Sequence, residues 1–442
     1  MRWILCCFLL LAAKLLLAQS VEEKKLQELN KLFDQSPVFS KIFTGFALYD
    51  PGQDTFLLER AADKYYTPAS NTKILTFYAS LLILGDSIPA LRYLENEDSL
   101  IFWGTANPLL LHPDFPQDSA VLRFLQAQER TLSLSYYNFQ EKPLGPGWAW
   151  DDYNDYYQAE RSPLPLYGNV VRFWRDSLGD GFQALPEHFD PQAFFDADLP
   201  IEEGPFFQRI LAENRFSYNA PAISGIDFEQ DVPFVTSVET AAQLLAEALG
   251  KNVGIASTPM LKGGIWHELQ VPLPDTLYRR LMQDSDNFIA EQLLLACSEK
   301  VLGYQKAADI IAFCQDSLFQ GLPDVPVWRD GSGLSRYNLM TPRFLAALLD
   351  RLWEVLPAER LLAIFPAGGV SGTLESSYKG KHQPYVYAKT GTLSNKHCLS
   401  GYVFTKSGKR LVFSFMNNNY IGSTRPVRLE MEKVLVYIRD NF

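Results

Sequence analysis

Residues 66–84 read YTPASNTKILTFYASLLIL. Pro68 stands just ahead of a run of helix formers and apolar residues, Lys73 to Leu84, so the stretch predicts a helix with Ser70 in its first turn. Ser70 and Lys73 are three apart, and a helix puts such a pair on one face. A lysine packed there among other cations, away from water, is partly neutral near neutral pH. That juxtaposition suits a serine nucleophile with an amine as its base. The pattern Ser-x-x-Lys is short, however, and composition alone supplies about one or two copies in such a chain. A second copy, Ser376 to Lys379, lies among Gly372, Thr373 and Gly380 with no long helix after it, and reads as a loop.

Working outward from this stretch, residues 43–49 and 54–58 flank Pro51-Gly52-Gln53 and predict a β-hairpin. Residues 21–34 before them have the apolar spacing of an amphipathic helix. Far downstream, helical spacing returns over 277–300 and 305–319. Strand-like runs follow at 385–392, 399–405 and 410–416, and a last helix at about 424–440. Helices and strands drawn from both ends predict one α/β (α+β) domain made of residues 21–86 and 264–442. Between them, 87–263 is rich in Pro and aromatics and holds many short strand-like runs. It reads as an inserted, mostly β region closed by a helix near 237–249.

Two further segments carry chemistry. Ser285-Asp286-Asn287 directly precedes the apolar run 288–295. A serine hydroxyl there can pass a proton, and an asparagine amide can bond both a lysine and a substrate carbonyl; the same residues also make ordinary helix caps. A rival, Ser217-Tyr218-Asn219, falls inside the insertion and reads as a loop. Lys389-Thr390-Gly391-Thr392 follows Val386-Tyr387-Ala388 on a predicted strand. There Lys389 brings positive charge, the Thr390 and Thr392 hydroxyls can bind a carboxylate, and Gly391 lets substrate approach the backbone. Lys406-Ser407-Gly408 lies between two strand-like runs and reads as a hairpin turn.

Composition narrows the function classes. The chain has 442 residues, 47% of them hydrophobic, more than one core usually organises. Its formal net charge is -11, and no block of basic residues appears, so there is no electrostatic footprint for nucleic acid. Arg2, the apolar run 3–13 and the small residues Ala18 and Ser20 read as a secretory signal peptide over 1–20; Lys14 breaks the run too early for a membrane span. Cys6 and Cys7 lie too early for a lipoprotein cleavage site. Cys297, Cys314 and Cys398 remain, an odd number; a bridge between Cys297 and Cys314 is open, as are buried free thiols. The five histidines form no metal-binding pattern, and neither metal nor cofactor is indicated.

Helix-start serine, helix-flanking serine and strand lysine, in that order, are the motif set of the penicillin-recognising serine enzymes, and the chain resembles them. The long insertion narrows the resemblance to the class C low-molecular-mass penicillin-binding proteins, the D-alanyl-D-alanine carboxypeptidase/endopeptidase family. Pro146-Gly147-Trp148, the run Asp330-Gly331-Ser332-Gly333-Leu334-Ser335-Arg336-Tyr337-Asn338 and Gly372-Thr373-Leu374 carry it further. Tyr337 stands where His is expected more often.

The resemblance implies a β-lactamase-like transpeptidase domain, an antiparallel sheet flanked by helices. It implies a periplasmic serine hydrolase of peptidoglycan stem peptides, inhibited by β-lactams, with peripheral membrane contact and oligomeric state left open. Ser70 would be acylated, with Lys73 as base and Ser285 with Lys389 as proton route. Asn287 would position substrate, and the backbone N–H groups of Ser70 and Thr392 would form the oxyanion hole. In the insertion, Asp151 and Asp152, flanked by Trp148 and Tyr156, would hold the ammonium of a diaminopimelate side chain; a carboxylate beside aromatic rings suits an aliphatic cation. The alternatives are a class A-like β-lactamase, which leaves 85–263 without a role, and a silent wall-binding protein, which has no need of four intact motif residues.

Overall fold

The computed structural model describes residues 21–115, 120–175, 182–199, 206–219, 228–256 and 266–442. The expected signal peptide, with Cys6 and Cys7, and the expected boundary at 263 lie outside them. Helix α1 (21–34) leads into the hairpin β1 (Phe43–Asp50) and β2 (Thr55–Arg60), and helix α2 (Lys73–Ile83) follows.

The next strands are β3 (Ser87–Glu95), β4 (Ser99–Gly104), β5 (Thr131–Ser135), β6 (Val170–Arg175), β7 (Phe182–Leu185) and β8 (Ala193–Phe195), with helix α3 (Ala120–Gln126) between β4 and β5. Then come β9 (Phe207–Arg209), β10 (Phe216–Tyr218), β11 (Glu229–Pro233), helix α4 (Val238–Leu249), β12 (Val253–Ile255) and β13 (Trp266–Pro272). These strands build three sheets, ordered β12-β5-β4-β3-β13, β11-β6-β7 and β8-β10-β9. Strand β13 lies beyond residue 263, yet pairs with β3 from Trp266↔Leu94 to Pro272↔Ser87. The sheet therefore takes residues from both sides of the expected boundary.

Ser217 and Tyr218 were expected in a loop; they lie in β10 instead. The reason is aromatic packing, since Phe216 and Tyr218 wrap the stacked pair Phe173 and Phe207, whose ring centroids are 4.0 Å apart.

Helices α5 (Asp275–Arg279), α6 (Asn287–Leu302), α7 (Ala307–Ser317), α8 (Pro342–Val355) and α9 (Ala358–Ile364) come next. The chain ends with β14 (Val386–Leu393), β15 (Lys396–Phe404), β16 (Arg410–Asn418) and α10 (Arg425–Asn441). The main sheet runs β14-β15-β16-β1-β2, every neighbour antiparallel. Period-2 alternation covers both faces: Leu399 and Val403 join the core under α1 and α10, while Cys398 and Tyr402 join the one under α2, α6 and α8. Helix α6 is buried nearly all round from Phe288 to Glu299, so it forms the axis of the larger core. Caps fix where the helices start. Asp286 accepts from the Ile289 N–H (2.8 Å) at α6, and Thr341 from the Phe344 N–H (3.2 Å) at α8.

Cys297, Cys314 and Cys398 are all buried free thiols, so the bridge left open by the sequence is not formed. Among the described residues no helix is long and apolar enough to cross a membrane.

Candidate active site

Ser70 sits in a tight 3₁₀ turn, Ala69–Thr72, that feeds α2, rather than in the first α-turn. Ala69 has φ 48°, the left-handed region that a residue with a Cβ seldom adopts. The turn is held from several sides. Thr72 Oγ1 donates to the Ala69 carbonyl (2.9 Å), and Asn71 Nδ2 donates to the Lys389 carbonyl (2.9 Å). Gly333 presses so close that a Cβ there would lie 2.0 Å from the Ala69 oxygen. Strain of this kind persists only where the surroundings over-determine it.

Lys73 is wholly buried, and its Nζ lies 3.0 Å from Ser70 Oγ, 2.5 Å from Asn287 Oδ1 and 2.8 Å from the Ser332 carbonyl. Burial pushes its pKa down to about 8, against the pull of Asp286, Asp330 and Glu291. An amine in this state can accept the proton of a neighbouring hydroxyl.

The helical run expected over 277–300 is broken at Ser285. Helix α5 loosens into a π-turn, Arg280–Asp284; Ser285 then adopts φ 63°, and α6 starts afresh after Asp286. Such local irregularity re-aims a side chain. Ser285 Oγ meets Lys389 Nζ at 2.8 Å, and Asn287 Nδ2 reaches the Tyr157 carbonyl at 2.9 Å.

On β14, Lys389 is buried, and burial together with the charge of Lys73 holds its pKa well below the usual lysine range. Thr390 Oγ1 donates to Thr373 Oγ1 (2.7 Å), and Thr392 Oγ1 bonds His397 Nδ1 (2.9 Å). Gly391 lies against the turn that carries Ser70. A Cβ on it would lie 2.5 Å from the Pro68 carbonyl and 2.9 Å from the Asn71 amide, so its bareness lets β14 pack on that turn. Segments 70–73, 285–287 and 389–392 are thus linked pairwise: Lys73 to Ser70 and Asn287, Lys389 to Ser285, and Asn71 to the Lys389 carbonyl.

A sequence profile of the D-Ala-D-Ala carboxypeptidase 3 (S13) family matches residues 25–441. The chain belongs to this family. It is a serine-type D-Ala-D-Ala carboxypeptidase of the penicillin-binding class. It is 24% identical over 416 residues to the D-alanyl-D-alanine carboxypeptidase DacB of Haemophilus influenzae, covering 85% of each chain. It is 26% identical over 453 residues to the D-alanyl-D-alanine carboxypeptidase of an Actinomadura strain, covering 90% of this chain and 82% of that one. The crystal structure of penicillin binding protein 4 (DacB) from H. influenzae superposes with a TM-score of 0.74 at 22% identity, over 93% of this chain and 99% of that one. The fold is therefore that of the penicillin-binding carboxypeptidases.

The aromatic segment 148–157 reaches the site through two hydrogen bonds. Trp148 is tied to the loop after α7. Its Nε1 donates to Asp330 Oδ2 (2.8 Å), beneath the loop that carries Ser332. Asp151 and Tyr156 face solvent, while Asp152 is half-buried, with its carboxyl pushed up by burial and by Asp155 and Asp151. Tyr156 still borders a cleft lined by Ser285 and Asn287. Sequence reasoning assigned no role to Glu291, Asp330 or His397. Asp330 accepts from the Gly333 and Ser335 amides, Asn338 Nδ2 and Trp148, and so folds the loop onto Lys73. Its signal was the Asp-Gly-Ser-Gly run itself, quoted above for resemblance alone.

Proposed function

We propose that Ser70 is the nucleophile of this carboxypeptidase and Lys73 its base. Lys73 Nζ takes the hydroxyl proton as Ser70 Oγ attacks the carbonyl carbon of the penultimate D-Ala. The backbone N–H groups of Ser70 and Thr392 hold the developing oxyanion. As the C–N bond breaks, Ser285 hands a proton to the leaving nitrogen and is resupplied by Lys389. Acylation leaves Lys73 with the Ser70 proton and Lys389 one proton short; return of that proton from Lys73 to Lys389 makes the net transfer one proton from Ser70 to the departing D-Ala, and water then hydrolyses the ester. Asn287 holds Lys73 and the substrate amide, and the Thr390 and Thr392 hydroxyls take the terminal carboxylate. The observation that carries this reading is the double pairing of hydroxyl and cation, Ser70 with Lys73 at 3.0 Å and Ser285 with Lys389 at 2.8 Å.

The same reading makes the enzyme a target of β-lactams, whose strained amide mimics the scissile bond. It places the work in the periplasm, reached through the signal peptide expected over 1–20. It also assigns Asp151 and Asp152, with Tyr156, to the ammonium of a diaminopimelate side chain; the half-buried Asp152 is the better placed. Trp148 is left to the support of Asp330.

Mass spectrometry after incubation with penicillin and with purified muropeptides is the test. A penicilloyl group on the Ser70 peptide and released D-Ala are expected. An adduct that survives only seconds would favour a lactamase instead. A Lys73→Ala variant that acylates at near-normal rate would remove Lys73 as base. Asp151→Asn with Asp152→Asn and an unchanged preference for diaminopimelate peptides would remove the carboxylates.

A further inference from the structure

One buried carboxylate behind the nucleophile has no part in the scheme above. Glu291 lies one helical turn after Asn287 on α6, so both side chains project to the same side. Its Oε1 accepts from the Ser332 N–H at 2.7 Å, and the carbonyl of that same Ser332 accepts from Lys73 Nζ at 2.8 Å. The other oxygen faces the guanidinium of Arg161, an inserted residue, at 3.6 Å. That is an ion-pair separation rather than a hydrogen bond, and neither Glu291 Oε2 nor Arg161 Nη1 has a hydrogen-bond partner. Both side chains are almost wholly excluded from solvent. An isolated buried charge is expensive, and a brace for one amide would need no charge, since a glutamine oxygen accepts equally well.

We infer that Glu291 is a positioning residue for acylation: it presses the Ser332 carbonyl against Lys73, and its negative charge governs the charge carried by Lys73. The inference rests on the reading of Lys73 as base. Glu291 faces Arg161 from the insertion, Asp330 from the loop after α7 and Lys73 from the start of α2. Lys73 in turn faces Asp286 at the α6 cap and Lys389 on β14. Burial raises the Glu291 carboxyl to about 7, with Asp330 raising it further and Arg161 and Ser332 opposing. Its ionised form holds the proton on Lys73, as do Asp330 and Asp286. Through Arg161 the insertion therefore acts on the base as well as on substrate.

The experiment is the pH profile of Ser70 acylation by a fluorescent penicillin, for the wild type, Glu291→Gln and Glu291→Asp. The amide keeps the shape and removes the charge. Its acid limb is expected to move down by about one pH unit, because less negative charge leaves Lys73 easier to deprotonate. The aspartate keeps the charge and loses the reach to Ser332. It is expected to acylate about tenfold more slowly at every pH with the limb unmoved. A glutamine variant with an unmoved limb, slower or not, would overturn the inference, leaving Glu291 as a brace. If the glutamine variant does not fold, the aspartate variant decides alone, and a wild-type rate overturns it. A wild type that forms no adduct, or a Lys73→Ala variant that acylates normally, sinks the parent reading instead and is scored separately.

Discussion

A methyl group added to Gly391 would sit 2.5 Å from the Pro68 carbonyl oxygen. The strand that carries Lys389 and the turn that carries Ser70 thus meet backbone to backbone, with the Asn71 side chain tying the turn to the Lys389 carbonyl at 2.9 Å. This contact and hydrogen bond fix how closely the Ser70 turn lies against the strand of Lys389.

Gly391→Ala is therefore expected to harm acylation more than stability. The clash is with backbone, which cannot swing aside as a flexible side chain would, and overpacking of this kind costs about 1–3 kcal/mol. Separation of β14 from the turn should lower the penicillin acylation rate about tenfold or more, since small misplacements of reacting groups are costly. Stopped-flow acylation and thermal melting, run side by side, check it. A variant that acylates at the wild-type rate would show that the contact does not position Ser70.

Trp148→Phe keeps the ring and removes one donor. Asp330 Oδ2 then loses its indole partner while still accepting from the Ser335 amide (2.6 Å). Leaving part of a buried carboxylate unsatisfied costs about 1–3 kcal/mol. The loop bearing Ser332 should loosen, and acylation should slow with it. Loss of stability with no change in acylation would confine Trp148 to structure.

The parts of the site that could be read in the sequence are those whose geometry is local. Ser70 and Lys73 needed only a helical turn, and Lys389 to Thr392 only a strand. That Ser285 flanks a helix could be read from the cap residues Asp286 and Asn287, but its left-handed turn could not, because it is held by a partner 104 residues away. The contact between Trp148 and Asp330 could not be read for a related reason. In a segment so rich in aromatics, an indole reads equally as core or ligand surface, and only the fold brings Asp330 beneath it, 182 residues on. Glu291 was hidden by position: inside an apolar helix, one polar residue carries no pattern. Strand β10 was masked by its central serine, because three residues are too few to display alternation.

Burial should make the three thiols of the described residues inert. Cys297 is pushed well above the usual thiol range by burial and by Cys314, and burial raises Cys314 and Cys398 to about 12. The thiolate is the reactive form, so neither alkylation nor disulfide formation should proceed in the folded protein. Iodoacetamide followed by peptide mass spectrometry should find Cys297, Cys314 and Cys398 unlabelled in buffer and labelled in denaturant. A Cys297–Cys314 disulfide in the purified protein would contradict this arrangement.

Two buried histidines should make acid destabilising before the ordinary carboxylates titrate. Burial lowers His397 to about 4, with Arg428 adding to it; burial likewise lowers His112 to about 4, helped by Arg280 and Arg172 and opposed by Asp114 and Asp231. An unfolded histidine titrates near its reference value of about 6.5. Between pH 6.5 and 4 the unfolded chain therefore binds more protons, and stability falls as pH falls through that window. Each histidine contributes on the order of 3 kcal/mol at most, because a tenfold change in proton affinity is worth about 1.4 kcal/mol. Glu291 works the other way over part of the same range, because its folded value is raised, so the net slope of the wild type alone decides nothing. The difference between wild type and His397→Gln removes that contribution. Chemical denaturation at pH 7 and pH 4.5 is expected to show the variant losing less stability than the wild type between the two. Equal losses would mean that the imidazole beside Thr392 is already open to protons in the folded enzyme.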